Sequence, residues 1–129
     1  MEISTPEEME QHLAAVGVAL TAPEPAEGVL CYAERMLTGF GCDGTLRWAR
    51  RWRDLRVPRA TGQERRLGSR GGHCDCEVFL NGWTLREDLW VDDEDGAPTW
   101  PAERPPCAGV GPRSSQPCGN GRPWRRDRW

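Results

Sequence analysis

Glycine and proline cut this 129-residue chain into short pieces, so no regular element can run far before meeting one. Pro23 and Pro25, the run Thr38-Gly39-Phe40-Gly41, Pro58 and the pair Gly71-Gly72 set the breaks. Proline lacks the amide proton that a helix interior uses, and glycine readily takes the left-handed geometry that ends a helix. Of 11 prolines and 15 glycines, many crowd into the last third. With only 37% apolar residues in the whole chain, a packed core has to come from what precedes that third.

Between the breaks the apolar spacing is helical. Thr5-Pro6-Glu7-Glu8 reads as a capping box with proline at the first helical position, followed by Met9, Leu13, Val16 and Leu20. A second helix is predicted over about 26–38, with Val29, Ala33, Met36 and Leu37 on one side and Phe40 after them. A third is predicted from Gly44 to Leu55, with Asp43 or Thr45 as cap and Trp48, Trp52 and Leu55 as its stripe. Thr61-Gly62-Gln63-Glu64 opens a short fourth, to about Leu67. Residues 73–80 alternate Cys74, Cys76, Val78 and Leu80 with Asp75, Glu77 and Phe79, the pattern of a strand. Residues 89–100 read as a hairpin around Asp95-Gly96. The fold class expected is therefore mainly α, a small α+β domain of three to four short helices, one C-D-C-E strand, a C-terminal hairpin and an extended tail. The expected core joins Leu13, Val16, Met36, Leu37, Leu46 and Trp52 with Val78 and Leu80. The organisation is an N-terminal helix over 1–25, a core domain over 26–100 and a disordered Pro/Gly/Arg-rich tail over 101–129.

Charge is patterned although the net value is only −3. Residues 1–34 carry −7, 35–70 carry +7, 71–103 carry −8 and 104–129 carry +5. Such alternation favours docking of acidic on basic surface within the molecule. All positive charge is arginine, which a GC-rich coding bias explains as well as phosphate recognition does. The N-terminus has no basic, apolar leader and no run approaches a membrane span, so a cytoplasmic setting is expected. Six cysteines in a reducing compartment read as thiols or metal ligands rather than a disulfide frame.

Two blocks, Cys42-Asp43-Gly44-Thr45-Leu46-Arg47 and Gly71-Gly72-His73-Cys74-Asp75-Cys76-Glu77-Val78, resemble a bacterial domain-of-unknown-function family (number twenty-six-ninety-five). Its members look like C-D-x-T-x-R, a helical stretch, then G-G-x-C-D-C-E-V. The resemblance covers roughly residues 28–83 and implies no activity. Two positions depart from the family pattern: Gly44 stands where histidine is frequent, and His73 where an aromatic residue is usual.

The candidate chemistry lies in the thiols. On a strand, Cys74 and Cys76 would face one side, and Cys42 would sit at a helix start where N–H groups favour a thiolate. With a fourth ligand, three thiolates make a tetrahedral zinc site. The candidate ligand set is Cys42, Cys74, Cys76 and His73, with Asp43, Cys107 and Cys118 as other candidates for the fourth place. Buried, inert packing is the competing reading. Asp75 and Glu77 read as a solvated strand face meeting Arg47 or Arg50. The basic helix 44–56, with Trp48 and Trp52 beside its arginines, is the nucleic-acid candidate, but the acidic blocks oppose generic nucleic-acid binding, and Trp48 and Trp52 read better as core. Nucleotide-binding and serine-hydrolase motifs are missing. The expected function is a non-enzymatic binding or regulatory module organised by a cysteine zinc site, with a protein partner. The alternatives are a nucleic-acid-associated protein and a thiol-dependent enzyme or redox protein.

Overall fold

The structure, a computed structural model, describes residues 5–102, Cys107, Cys118 and 120–124. Helix α1 (Pro6–Leu20) starts as the sequence predicts. Thr5 Oγ1 accepts the Glu8 N–H, and the Glu8 carboxylate accepts the Thr5 N–H, both at 3.2 Å. Its packing differs from expectation. Met9, Leu13, Val16 and Leu20 are exposed, and α1 buries no residue. The C-terminal end is tied down where Arg51 donates to the carbonyls of Val18 and Thr21 and the Tyr32 hydroxyl donates to Thr21. The core forms without the α1 stripe and is built around two indoles.

Those indoles come from α3 (Arg47–Arg56), which crosses α2 (Val29–Phe40). Helix α2 buries Val29, Leu30, Cys31, Tyr32, Ala33 and Met36, and α3 buries Trp48, Ala49 and Trp52. A polar indole N–H needs a partner when buried. Trp48 finds the Gly41 carbonyl and Trp52 the Glu27 carbonyl, each at 2.9 Å. Helix α4 (Gln63–Gly68) closes the core with Leu67, and the Gln63 amide donates to the Ala49 carbonyl at 2.9 Å. No side chain caps α4. Glu27, at 5% exposure, is paired with Arg35 at 2.7 Å.

The strand predicted over 73–80 is not formed. Residues Asp75–Glu77 make a helical turn, α5, which continues as a wider π-type turn over Val78–Gly82. The period-2 pattern misled because only one residue of the stretch, Val78, is β-branched, and because the carboxylate, not the thiols, is the group taken inside. Asp75 and Val78 are buried while Leu80 is 73% exposed, the phase of a helix. Extended structure begins later, at β1 (Trp83–Leu85).

Strand β1 pairs antiparallel with β4 (Gly121–Pro123), Trp83 opposite Pro123 and Leu85 opposite Gly121. This pair extends into the region expected to be a disordered tail. Trp124 adds two bonds, its amide to the Gly82 carbonyl and its indole N–H to the Phe79 carbonyl at 2.7 Å. The expected disorder does not hold for 120–124. The remainder of the expected tail, apart from Pro101, Ala102, Cys107 and Cys118, lies outside the described residues. The hairpin forms as predicted, from β2 (Val91–Asp92) and β3 (Pro98–Thr99), with the Asp93 carboxylate accepting the N–H groups of Asp95 and Ala97.

Helix α3 begins at Arg47, later than the expected Gly44, and its adjacent N-cap, Leu46, supplies no side-chain bond. Asp43 turns back on Thr45 instead, accepting its N–H at 2.9 Å and its hydroxyl at 2.6 Å. The cap arrives from far along the chain. The Asp75 carboxylate, fully buried, accepts the Trp48 N–H at 2.9 Å and the Ala49 N–H at 3.1 Å. The Asp75 N–H returns a bond to the Thr45 carbonyl at 3.1 Å. Asp75 therefore belongs to the interior rather than to a solvated face. Gly71 and Gly72 make its approach feasible. Gly71 has φ +82°, and a Cβ on Gly72 would lie 2.9 Å from Val78 Cγ2 and 3.0 Å from the Leu67 carbonyl.

Two outcomes follow for stability. Replacing Asp75 by Ala removes two charge-assisted bonds and strands two buried N–H groups, a loss of about 2–4 kcal/mol. Thermal melting should show a drop of roughly 10 °C or more for Asp75→Ala, whereas exposed Asp43→Ala should cost less than about 1 kcal/mol. Ending the chain after Trp100 removes β4 and Trp124, and should lower the melting temperature measurably rather than leave it unchanged.

Candidate functional site

Three cysteines far apart in sequence meet beside the N-terminus of α2. Their Sγ atoms all lie within 4.8 Å of one another: Cys31, Cys107 and Cys118. Cys31 is presented on the inner face of α2, in the same turn as Val29, Leu30 and Tyr32. Cys118 stands just before β4, where its carbonyl accepts the Gly121 N–H at 3.0 Å. Cys107 is held by the Gly28 N–H, which donates to its sulfur at 3.1 Å. Gly28 also makes room, since a Cβ there would come within 3.3 Å of that sulfur.

Cys31 and Cys118 sulfurs are 3.5 Å apart, much longer than the ~2.05 Å of a disulfide. The separation is close to the ~3.7–3.9 Å required of two thiolates with ~2.3 Å bonds to one tetrahedral zinc. Both cysteines are buried and help to line a small apolar cavity with Leu30, Phe79, Trp83 and Trp100. A dry surround of this kind shields a site from solvent and tunes it. The hydrogen bond with Cys118, and then burial, push the Cys31 thiol far up. Burial likewise raises Cys107, against the Gly28 N–H. Protonated, these are poor nucleophiles; a metal cation bound by them would reverse that balance outright.

The cysteines of the two sequence blocks form a separate cluster. Cys42 lies in the turn between α2 and α3, Cys74 directly precedes α5 and Cys76 lies within it. The Cys42 sulfur accepts a hydrogen bond from the Gly44 N–H at 3.4 Å; burial pushes its thiol up, and donors of Cys76, Gly44 and Cys74 bring it below the ordinary value. All three cysteines are half-buried. His73 is exposed, with its ring against Gly68 of α4.

Cys31 was not singled out by the sequence, where it is one more apolar-like position on a helix face. Cys107 and Cys118 figured there only as fourth ligands for the other cluster. The available signal was arithmetic: once the two blocks take three of six cysteines, three remain, and three thiolates are a metal-ligand set in themselves.

Residues 29–81 match the family model described as protein of unknown function (DUF2695). This segment, which is less than half of the chain, is similar to that family. The DUF2695 segment contains α2 to α5, both sequence blocks and four of the cysteines, Cys31, Cys42, Cys74 and Cys76. Cys107 and Cys118 lie beyond it. No curated protein and no solved structure matches the chain.

The raised thiols give a pH signature. A group that holds its proton more tightly when folded stabilises the fold below its unfolded value, here an ordinary thiol value of 9.0, and that contribution is lost as pH rises above it. Melts of chelator-treated protein from about pH 8 to about pH 10.5 should show falling stability, and Cys31→Ala should flatten the fall.

Proposed function

We propose that this protein is a small, non-enzymatic binding module in which a zinc ion held by Cys31, Cys107 and Cys118 pins the C-terminal segment to the α2–α3 core. The observation that carries the reading is the convergence of those three sulfurs within 4.8 Å, across 87 residues of chain between Cys31 and Cys118. Soft thiolates select zinc among the common divalent cations of cells, and three of them fill three of its four tetrahedral positions. A reducing cytoplasm, where thiols persist, suits a chain with six free cysteines. Among the described residues, no helix is long and apolar enough to cross a membrane.

For the partner, we favour a protein over generic nucleic acid. Trp48 and Trp52 are 1% and 0% exposed, so neither indole offers a face for a base to stack on. Arginines of α3 are also engaged internally: Arg51 with the carbonyls of Val18 and Thr21, Arg56 with those of Pro23, Glu24 and Pro25, and Arg53 with Asp54 and Glu64. Helix α1 meanwhile leaves Met9, Leu13, Val18 and Leu20 exposed.

Metal analysis of protein purified without an affinity tag tests the reading. About one zinc per chain is expected, lost in Cys31→Ser and in Cys118→Ser but retained in Cys42→Ser. Chelation should lower the melting temperature of the wild type. Zinc bound equally well by a Cys31→Ser/Cys118→Ser double variant, or none bound after zinc reconstitution, would sink the proposal.

A further inference from the structure

Helix α1 puts no side chain into the core. Every one of its residues is exposed except Gly17, which is half-buried. An isolated helix of this length is marginal in water even when rich in alanine, and Val16, Gly17 and Val18 are weak helix formers. The apolar residues of α1 are nevertheless ordered along it. Met9, Leu13, Val16 and Leu20 follow one another at spacings of four, three and four, the rhythm of the a and d positions of a coiled coil. On a helix of 3.6 residues per turn they fall within an arc of about 60°. They are 39% to 64% exposed. A narrow seam of that period fits a second helix.

Charge indicates which helix. The acids of α1, Glu7, Glu8 and Glu10, all lie in its first half, and it carries no arginine. Its other end is cationic through side chains that reach it from α2 and α3. Arg51 donates to the carbonyls of Val18 and Thr21, Arg35 to that of Ala22, and Arg56 to those of Pro23, Glu24 and Pro25. Glu24 and Glu27 offset two of these three charges, so this end keeps a net positive charge.

We propose that α1 is a dimerisation helix, its seam covered by α1 of a second copy of this chain running antiparallel. In that pairing Leu13 packs against Val16 of the second copy and Met9 against Leu20, and a twofold axis makes each contact twice. The acidic end of each helix then lies beside the arginine-held end of the other. A parallel pair would instead set three carboxylates against three. A membrane surface fits less well, because helices that lie on anionic lipid carry Lys or Arg on their polar face, and α1 carries neither. The seam shares no residue with Cys31, Cys107 and Cys118, so the proposal stands apart from zinc.

Sedimentation equilibrium of the full-length protein is the test. At about 100 µM, above a micromolar Kd, the expected mass is twice the 14.5 kDa of one chain. Leu13→Glu places a carboxylate in the seam and should give a monomer. Its tryptophan fluorescence should show the core still folded, because α1 buries no residue, and it should hold as much zinc as the wild type, so the two readings fail separately. Glu7→Arg combined with Glu8→Arg should weaken the dimer at least about tenfold. Direction is read by mixing Met9→Cys with Leu20→Cys under mild oxidation and mapping the disulfides by peptide mass spectrometry. Antiparallel helices link the two variants to each other, whereas parallel ones link Met9→Cys to itself. A monomeric wild type overturns the proposal, whether or not it binds phosphatidylglycerol vesicles. So does a dimer that survives Leu13→Glu, and self-linkage of Met9→Cys overturns the antiparallel arrangement.

Discussion

The Asp75 carboxylate receives the first free N–H groups of α3 in a place with no access to solvent. A helix start leaves several amides without partners, and carries a partial positive charge that favours an anion. Here Trp48 and Ala49, which carry those amides, are each 1% exposed, so water cannot serve them. An acceptor has to come from elsewhere in the chain. Burial drives the Asp75 carboxyl up, and the two amides pull it back. Asp75 gives its own N–H to Thr45 in return, so the segment before α3 and the segment that caps it are joined on both sides of one residue.

That join has a chemical by-product. Asp75 lies between Cys74 and Cys76 in sequence, and Thr45 lies three residues past Cys42. Once the cap is formed, the block that holds Cys42 and the block that holds Cys74 and Cys76 are brought to the same end of α3. The two blocks are therefore joined by structural bonds that involve none of their sulfurs. Charge alternation contributes less than the arginine carbonyl bonds do. Arg35 meets Glu27 and Arg122 meets Glu87 across charge blocks, but Arg51 and Arg56 spend their donors on backbone carbonyls of residues 18–25.

The helices were legible because their signals are local. The Thr5–Glu8 capping box, the glycine stop after Phe40 and the apolar positions of α2 each act within one or two turns. The Asp93–Gly96 turn was legible for the same reason. What could not be read is what depends on distant partners. Alternation over 74–80 is compatible with a strand or with a short helical turn, and the choice is made by whether Asp75 or the cysteines go inside, which only the unsatisfied amides of α3 decide. The stripe of α1 is a sound amphipathic pattern, but α1 buries no residue and the core is built on α2, α3 and α4 without it. Of the candidate site, the approach of the two sequence blocks to one another was legible from their order, although the strand invoked for it does not exist. The trio of Cys31, Cys107 and Cys118 was not, because two of its members lie in a segment whose composition gave no reason to expect order.

That segment explains why a metal would be useful there. The β1–β4 pair is three residues long, and a pairing of that length is marginally stable by itself. Ordering the tail costs about 1–2 kcal/mol per residue in backbone freedom, and its glycines raise the cost further. Against this stand the Trp124 bonds to Phe79 and Gly82 and the burial of Cys118. Small domains with thin cores commonly make up the difference with a cross-link, a disulfide outside the cell or a metal inside it. Cys31 sits on α2 in the core, and Cys107 and Cys118 come from the Pro/Gly-rich segment that follows it in sequence. Ligands drawn from both sides of that divide are what a metal clamp requires, whereas a merely buried thiol could have come from either side alone.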